Sequence, residues 1–128
     1  HHLKEKSDCS LDSFCEMVAR TADLMGIDNI GIGSDLCQDH PDSVVEWMRV
    51  GRWTREIDYG EGSASNAGFP PMPAWFEDNR HFGMIEAGLR AQGFSETDTA
   101  AVMGENWLRF YDSSFGSKTE PKTEFGAK

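Results

Sequence analysis

From Ser10 onward, apolar and polar positions recur with a helical period. Leu11, Phe14, Cys15, Val18, Ala22 and Met25 fall on one face, and Asp12, Ser13, Glu16, Arg20 and Asp23 on the other. Spacings of three and four residues predict an amphipathic helix. Ser10 is placed to cap its first free N–H groups, and Gly26 to end it. The pattern then changes to a short apolar run thinned by glycine, Asn29 to Gly33 in "DNIGIGSDL", which closes on Ser34 and Asp35. This run predicts a buried strand. Helix, short connection and strand together make one half-turn of an α/β fold.

Beyond Asp35 the texture is different. Asp42 to Val50 predicts a short helix ended by Gly51, and Gly60 to Pro73, "GEGSASNAGFPPMP", predicts a long loop. Trp47, Trp53, Tyr59, Phe69, Trp75 and Phe76 stand in or near it. That much aromatic surface predicts an ordered excursion packed on the domain, not a linker. Helix resumes near Asp78, with Phe82, Ile85 and Leu89 on one face and Gly93 at the end. Ser95 with Asp98 three residues on resembles a capping box. A last helical stretch holds Ala101, Met103, Trp107, Leu108 and Tyr111, with a break expected near Gly104. The boundaries predict one domain over 1–116 and a polar, disordered tail over 117–128.

The strand has no companion. A lone strand leaves its backbone groups unpaired, and a buried one needs neighbours on both sides. The chain therefore reads as mostly helical as it stands, with the missing strands expected in another chain or upstream. Its opening on His1-His2-Leu3, with no Met, fits a piece of a longer or processed chain.

The 128 residues are enough for one domain with a modest core. The net charge of -10 argues against nucleic acid, whose binding runs on Lys and Arg, and against an anionic membrane surface. No apolar run is long enough for a transmembrane segment. The three cysteines, Cys9, Cys15 and Cys37, are odd in number and include no CxxC pair. They read as free thiols in a reducing, cytoplasmic compartment.

"GIDNIGIGSDL" (Gly26 to Leu36) and, some seventy positions later, "GENWLRFY" (Gly104 to Tyr111) resemble the C-terminal part of the renal (membrane) dipeptidase family of zinc peptidases. The inserted region Glu46 to Trp75 suggests a bacterial-type branch. The resemblance implies the last strand and flanking helices of a (β/α)8 amidohydrolase-like barrel, whose active site sits at the C-terminal ends of the strands. It also implies two zinc ions, ligands outside this chain, and a dipeptide or small amide as substrate. Asp35 takes the position of the family's proton-transfer carboxylate, which accepts a proton from metal-bound water and passes it to the departing amine. Where the family has an acid and a glycine after its "SDF", this chain has Cys37 and Gln38, and Glu105 replaces a glycine in the second motif.

Each candidate also has a plainer reading. Asp35 can simply start a turn or cap a helix. His1 and His2 are candidates for substrate or metal contact, or a chain end. Cys37 and His40 stand close together, but two ligands do not make a zinc site. The segment 47–75, with Arg49, Arg52, Trp53 and Arg55 clustered, can cover the barrel rim, form a lid or make a homo-oligomer contact. Asn106, Trp107 and Arg109 read as structural: Asn106 capping or tying the last helix, Trp107 packing beneath the barrel. The alternative to a hydrolase piece is a free-standing, mostly helical interaction protein that uses the aromatic loop.

Overall fold

The computed structural model describes residues 6–36, 39–49, 63, 65 and 68–116. Within them the chain is helical: α1 (Leu11–Met25), α2 (Asp42–Arg49), α3 (Phe82–Ala91), α4 (Glu96–Ala100) and α5 (Asn106–Phe115). Short 3-10 turns cover Lys6–Asp8, Ile27–Asn29 and Asn79–His81, and one π-helical turn, Ala101–Glu105, joins α4 to α5.

The helix ends follow their sequence signals. Ser10 Oγ accepts from Ser13 N at 3.0 Å to start α1. At its other end Gly26 N donates to Ala22 O at 2.8 Å with φ of 84°, a conformation that glycine adopts without a Cβ penalty. Asp78 opens the turn before α3 by accepting from Arg80 N at 2.8 Å. The hydrogen-bonded Arg80 guanidinium holds its carboxyl down at about 2. Ser95 Oγ accepts from Asp98 N at 3.1 Å and donates to Asp98 Oδ2 at 2.7 Å, so serine and carboxylate close on each other at the start of α4. The break expected near Gly104 is the π-helical turn, where Gly104 leaves helical geometry.

The apolar face of α1 packs on α3, and α3 on α4. Cys15, Val18, Phe76, Ile85, Leu89 and Val102 form the buried core. The closest approach of α1 and α3 is at Gly88: a Cβ there would lie 2.6 Å from Cys15 Sγ and 3.0 Å from Leu11 Cγ. The end of the Gly-Ser-Pro loop joins this core. Trp75 stacks obliquely on Phe14 with ring centroids 5.3 Å apart, and its indole N–H donates to Cys9 O at 2.8 Å. Phe76 meets Phe82 edge-on at 5.2 Å. The packing expected of that loop is present at Trp75 and Phe76. Trp53 and Tyr59 lie outside the described residues, as does the tail 117–128.

The strand expected over Asn29–Gly33 is a correction. Ile27–Asn29 is a 3-10 turn, the segment after it is extended, and it pairs with no strand among the described residues. Ile30 has φ of -120° and ψ of 152°. The side chains of Ile30, Ile32 and Leu36 pack against the core. Period and composition therefore produce extended backbone with apolar anchors, but a β-ladder needs a second strand. Mostly helical describes the chain as observed.

Full burial of Cys15, with the Asp12 charge adding to it, pushes its thiol up to about 11. The unfolded thiol ionises first, so stability is intact below about pH 9 and falls as pH rises toward 11. A chromogenic disulfide reagent at about pH 8 should leave Cys15 unmodified in the folded chain and label it once urea unfolds the chain. Rapid labelling of native protein at Cys15 would contradict this packing.

Candidate functional site

The segment 30–36, extended up to the turn at Asp35, is held by α5 and the π-helical turn. In that turn Asn106 N reaches back to Ala101 O, and the next carbonyl, Val102 O, accepts from Ile32 N at 3.3 Å. The Asn106 side chain, only 7 % exposed, donates at 2.7 Å to both Ile27 O and Ile30 O. Trp107 Nε1 donates to Ile32 O at 3.2 Å. Arg109 completes the tie: its guanidinium donates to Asp28 O at 2.9 Å and to Asn106 Oδ1 at 2.7 Å, and lies 3.3 Å from Asp28 Oδ1. Asn106 and Arg109 are one helical turn apart, which brings both to the same carbonyl-rich bend. Asn106, Trp107 and Arg109 thus each donate to a backbone carbonyl of 27–32, and Arg109 also to the Asp28 and Asn106 side chains; Trp107, expected to pack beneath a barrel, is 42 % exposed.

At the far end of the segment the chain turns. Ser34 Oγ accepts from Leu36 N at 3.4 Å, and Asp35 sits at φ of 48°. Asp is among the few residues that tolerate this left-handed region, at some cost in strain. The conformation lifts the Asp35 side chain into solvent, and no hydrogen bond or ion pair reaches its carboxylate among the described residues. Asp35 is therefore an available carboxylate on a fixed stem, able to accept or release a proton at a neighbouring group.

Two hollows flank the stem. One, of about 210 Å³, is apolar and lies between α1 and the segment, lined by Phe14, Met17, Val18, Ile30, Ile32 and Val102. The other, of about 460 Å³, lies on the α5 side between Met25, Asn29, Trp107 and Phe110. Gly31 borders both, and its bare Cα lets the Trp107 indole close in: a Cβ there would come within 2.5 Å of Nε1. Glycine alternating in an apolar run signals such close approach. The Val102 carbonyl, by contrast, has no sequence signature.

His1, His2 and Cys37 lie outside the described residues, as do Arg52 and Arg55. His40 is described and exposed. On α2, Trp47 is 75 % and Met48 55 % exposed. Among the described residues no three His, Cys, Asp or Glu side chains converge in a way that could hold a metal ion. None of the helices there is long and apolar enough to cross a membrane.

No family model, curated protein or solved structure matches this chain.

Proposed function

We propose that this chain is the C-terminal part of a zinc-dependent, dipeptidase-like barrel that hydrolyses dipeptides or related small amides, with Asp35 as its proton-transfer residue. One observation carries the reading. The two stretches on which the resemblance rests are far apart in sequence, yet they are hydrogen-bonded to each other in space through Asn106 and Arg109. Their joint effect is to fix the stem that ends in Asp35.

In this mechanism the Asp35 carboxylate accepts a proton from the attacking water and delivers it to the nitrogen of the departing amine. Its raised position at the end of a tethered segment serves that relay, because a carboxylate fixed in place needs no reorganisation before each transfer. Zinc, when bound, supplies an acidified water and a polarised carbonyl. On the resemblance its ligands come from the remainder of the barrel, and no step here runs through them. In a complete barrel both edges of the last strand are paired. Ile32 would then exchange Val102 O and the Trp107 indole for a neighbouring strand.

The test is Asp35→Asn in the full-length polypeptide that contains this chain. Turnover of a dipeptide should fall by about a hundredfold or more, with zinc content and thermal midpoint unchanged. Wild-type turnover in that variant would overturn the assignment. The exposure of Trp47 and Met48 favours one other reading, a helical interaction protein. That reading predicts no hydrolysis by the full-length polypeptide at all.

A further inference from the structure

We propose that His81 is a proton-sensitive clasp: its neutral imidazole holds the chain where it enters α3, and protonation releases that entry. The proposal rests on hydrogen-bond geometry at the turn before α3 and is independent of the hydrolytic reading.

The 3-10 turn Asn79–His81 opens with a reciprocal cap. Asp78 accepts from Arg80 N at 2.8 Å. The third residue of the turn, His81, accepts in return: its Nδ1 takes Glu77 N at 3.0 Å and Asp78 N at 3.4 Å. A capping box ordinarily places Glu or Gln at that third position, and either keeps an acceptor oxygen at neutral pH. A neutral imidazole offers one acceptor nitrogen only. With Nδ1 accepting, the proton of neutral His81 lies on Nε2, and a second proton must go to Nδ1 itself. Protonation thus turns the acceptor into a donor facing two N–H groups. It also sets positive charge at a helix N-terminus, where the dipole opposes it. Histidine is the side chain suited to such a change near neutrality.

The other half of the box does not switch with it, because the hydrogen-bonded Arg80 guanidinium holds the Asp78 carboxyl down at about 2. The remaining charge near His81 comes from its own turn, where Arg80 is paired with Asp78 and Glu77 is exposed. On α3, Glu86 and Arg90 pair with each other. The incoming stretch 68–76 has no charged side chain. On α1, which meets Trp75 through Phe14, the charged residues Asp12, Glu16, Arg20 and Asp23 are all exposed.

The clasp sits at a seam. Phe76, buried two residues before the cap, meets Phe82 just beyond it edge-on at 5.2 Å. Trp75 continues the contact to Phe14 and to Cys9 O. The box therefore fixes the end of the long loop to the start of α3. Opening its His81 half loosens that entry, while Cys15, Ile85 and Leu89, which take no part in the box, keep α1 and α3 together.

NMR on the whole 128-residue chain tests this. The imidazole nitrogen signals of His81 report both its titration and its tautomer, and the neutral form should carry its proton on Nε2. As pH falls through that titration, protection of the Glu77 amide, corrected for the intrinsic pH dependence of exchange, should drop about tenfold or more. The Asp78 amide should follow, and the Val18 and Leu89 amides should hold. In His81→Gln, whose side-chain oxygen accepts at every pH, the Glu77 amide should stay protected across the same range. The proposal is overturned by a proton on Nδ1 in the neutral form, by Glu77 protection indifferent to the His81 titration, or by an equal drop in His81→Gln. The first two outcomes are read on the unmodified chain and need no variant to fold. None of these readouts involves turnover, so the clasp and the hydrolytic reading can fail separately.

Discussion

Replacing Asn106 by Ala should lower the stability of the chain by about 3 kcal/mol, read as a shift of the urea midpoint with an unchanged slope. The magnitude follows from what the side chain serves. Two hydrogen bonds at 2.7 Å to Ile27 O and Ile30 O would be lost, each contributing about 1 kcal/mol net. The loss also leaves two half-buried carbonyls without these donors, and Arg109 without its Asn106 Oδ1 acceptor. Asn106→Asp, which keeps the shape but removes the amide donors, should destabilise at least as much at neutral pH. Its carboxylate would face two carbonyl oxygens. A loss below about 1 kcal/mol for Asn106→Ala would mean that the tie seen here is not what anchors the segment.

Gly88→Ala should destabilise by about 2 kcal/mol, against the ordinary expectation for a helix interior, where Ala is favoured over Gly by up to about 1 kcal/mol. Sterics decide the sign. The new methyl would meet Cys15 Sγ at 2.6 Å and Leu11 Cγ at 3.0 Å. Cys15 is fully buried. The two residues should therefore couple. In a Cys15→Ala background the sulfur is gone, and the cost of Gly88→Ala should shrink to less than about 1 kcal/mol. Thermal midpoints of the four proteins in that cycle provide the check. An equal cost in both backgrounds would place the strain elsewhere than at this helix crossing.

Local signals were sufficient where the physics is local. Ser10, Gly26 and Ser95 mark helix ends by hydrogen bonds to groups within four residues, and all are found in those roles; the helix expected to resume near Asp78 does so with that residue as the cap of its opening turn. The spacing of Leu11, Phe14, Cys15 and Val18 defines the face of α1 that is buried or half-buried. The extended run is where local reasoning stops. Its apolar residues and glycines select extended backbone, but whether that backbone becomes a strand depends on a partner remote in sequence. Asn106 was legible as a tie. Its acceptors were not, because two carbonyls at 27 and 30 gain their meaning only once the bend brings them together. Gly88 shares the apolar face of Ile85 and Leu89, yet nothing in its own sequence neighbourhood reveals the thiol opposite it. Asp35 was marked by its place at the end of the run; its left-handed backbone is a tertiary result.

The one-sided tether of the extended segment also governs how the chain behaves in bulk. Linear growth of a cross-β assembly requires every unit to offer two free edges, so that each addition regenerates the surface it consumed. Here Asn106, Val102 and Trp107 occupy one edge. A segment tied along one edge in this way is a poor template for such growth, and the Trp107 indole closed over Gly31 adds to the obstruction.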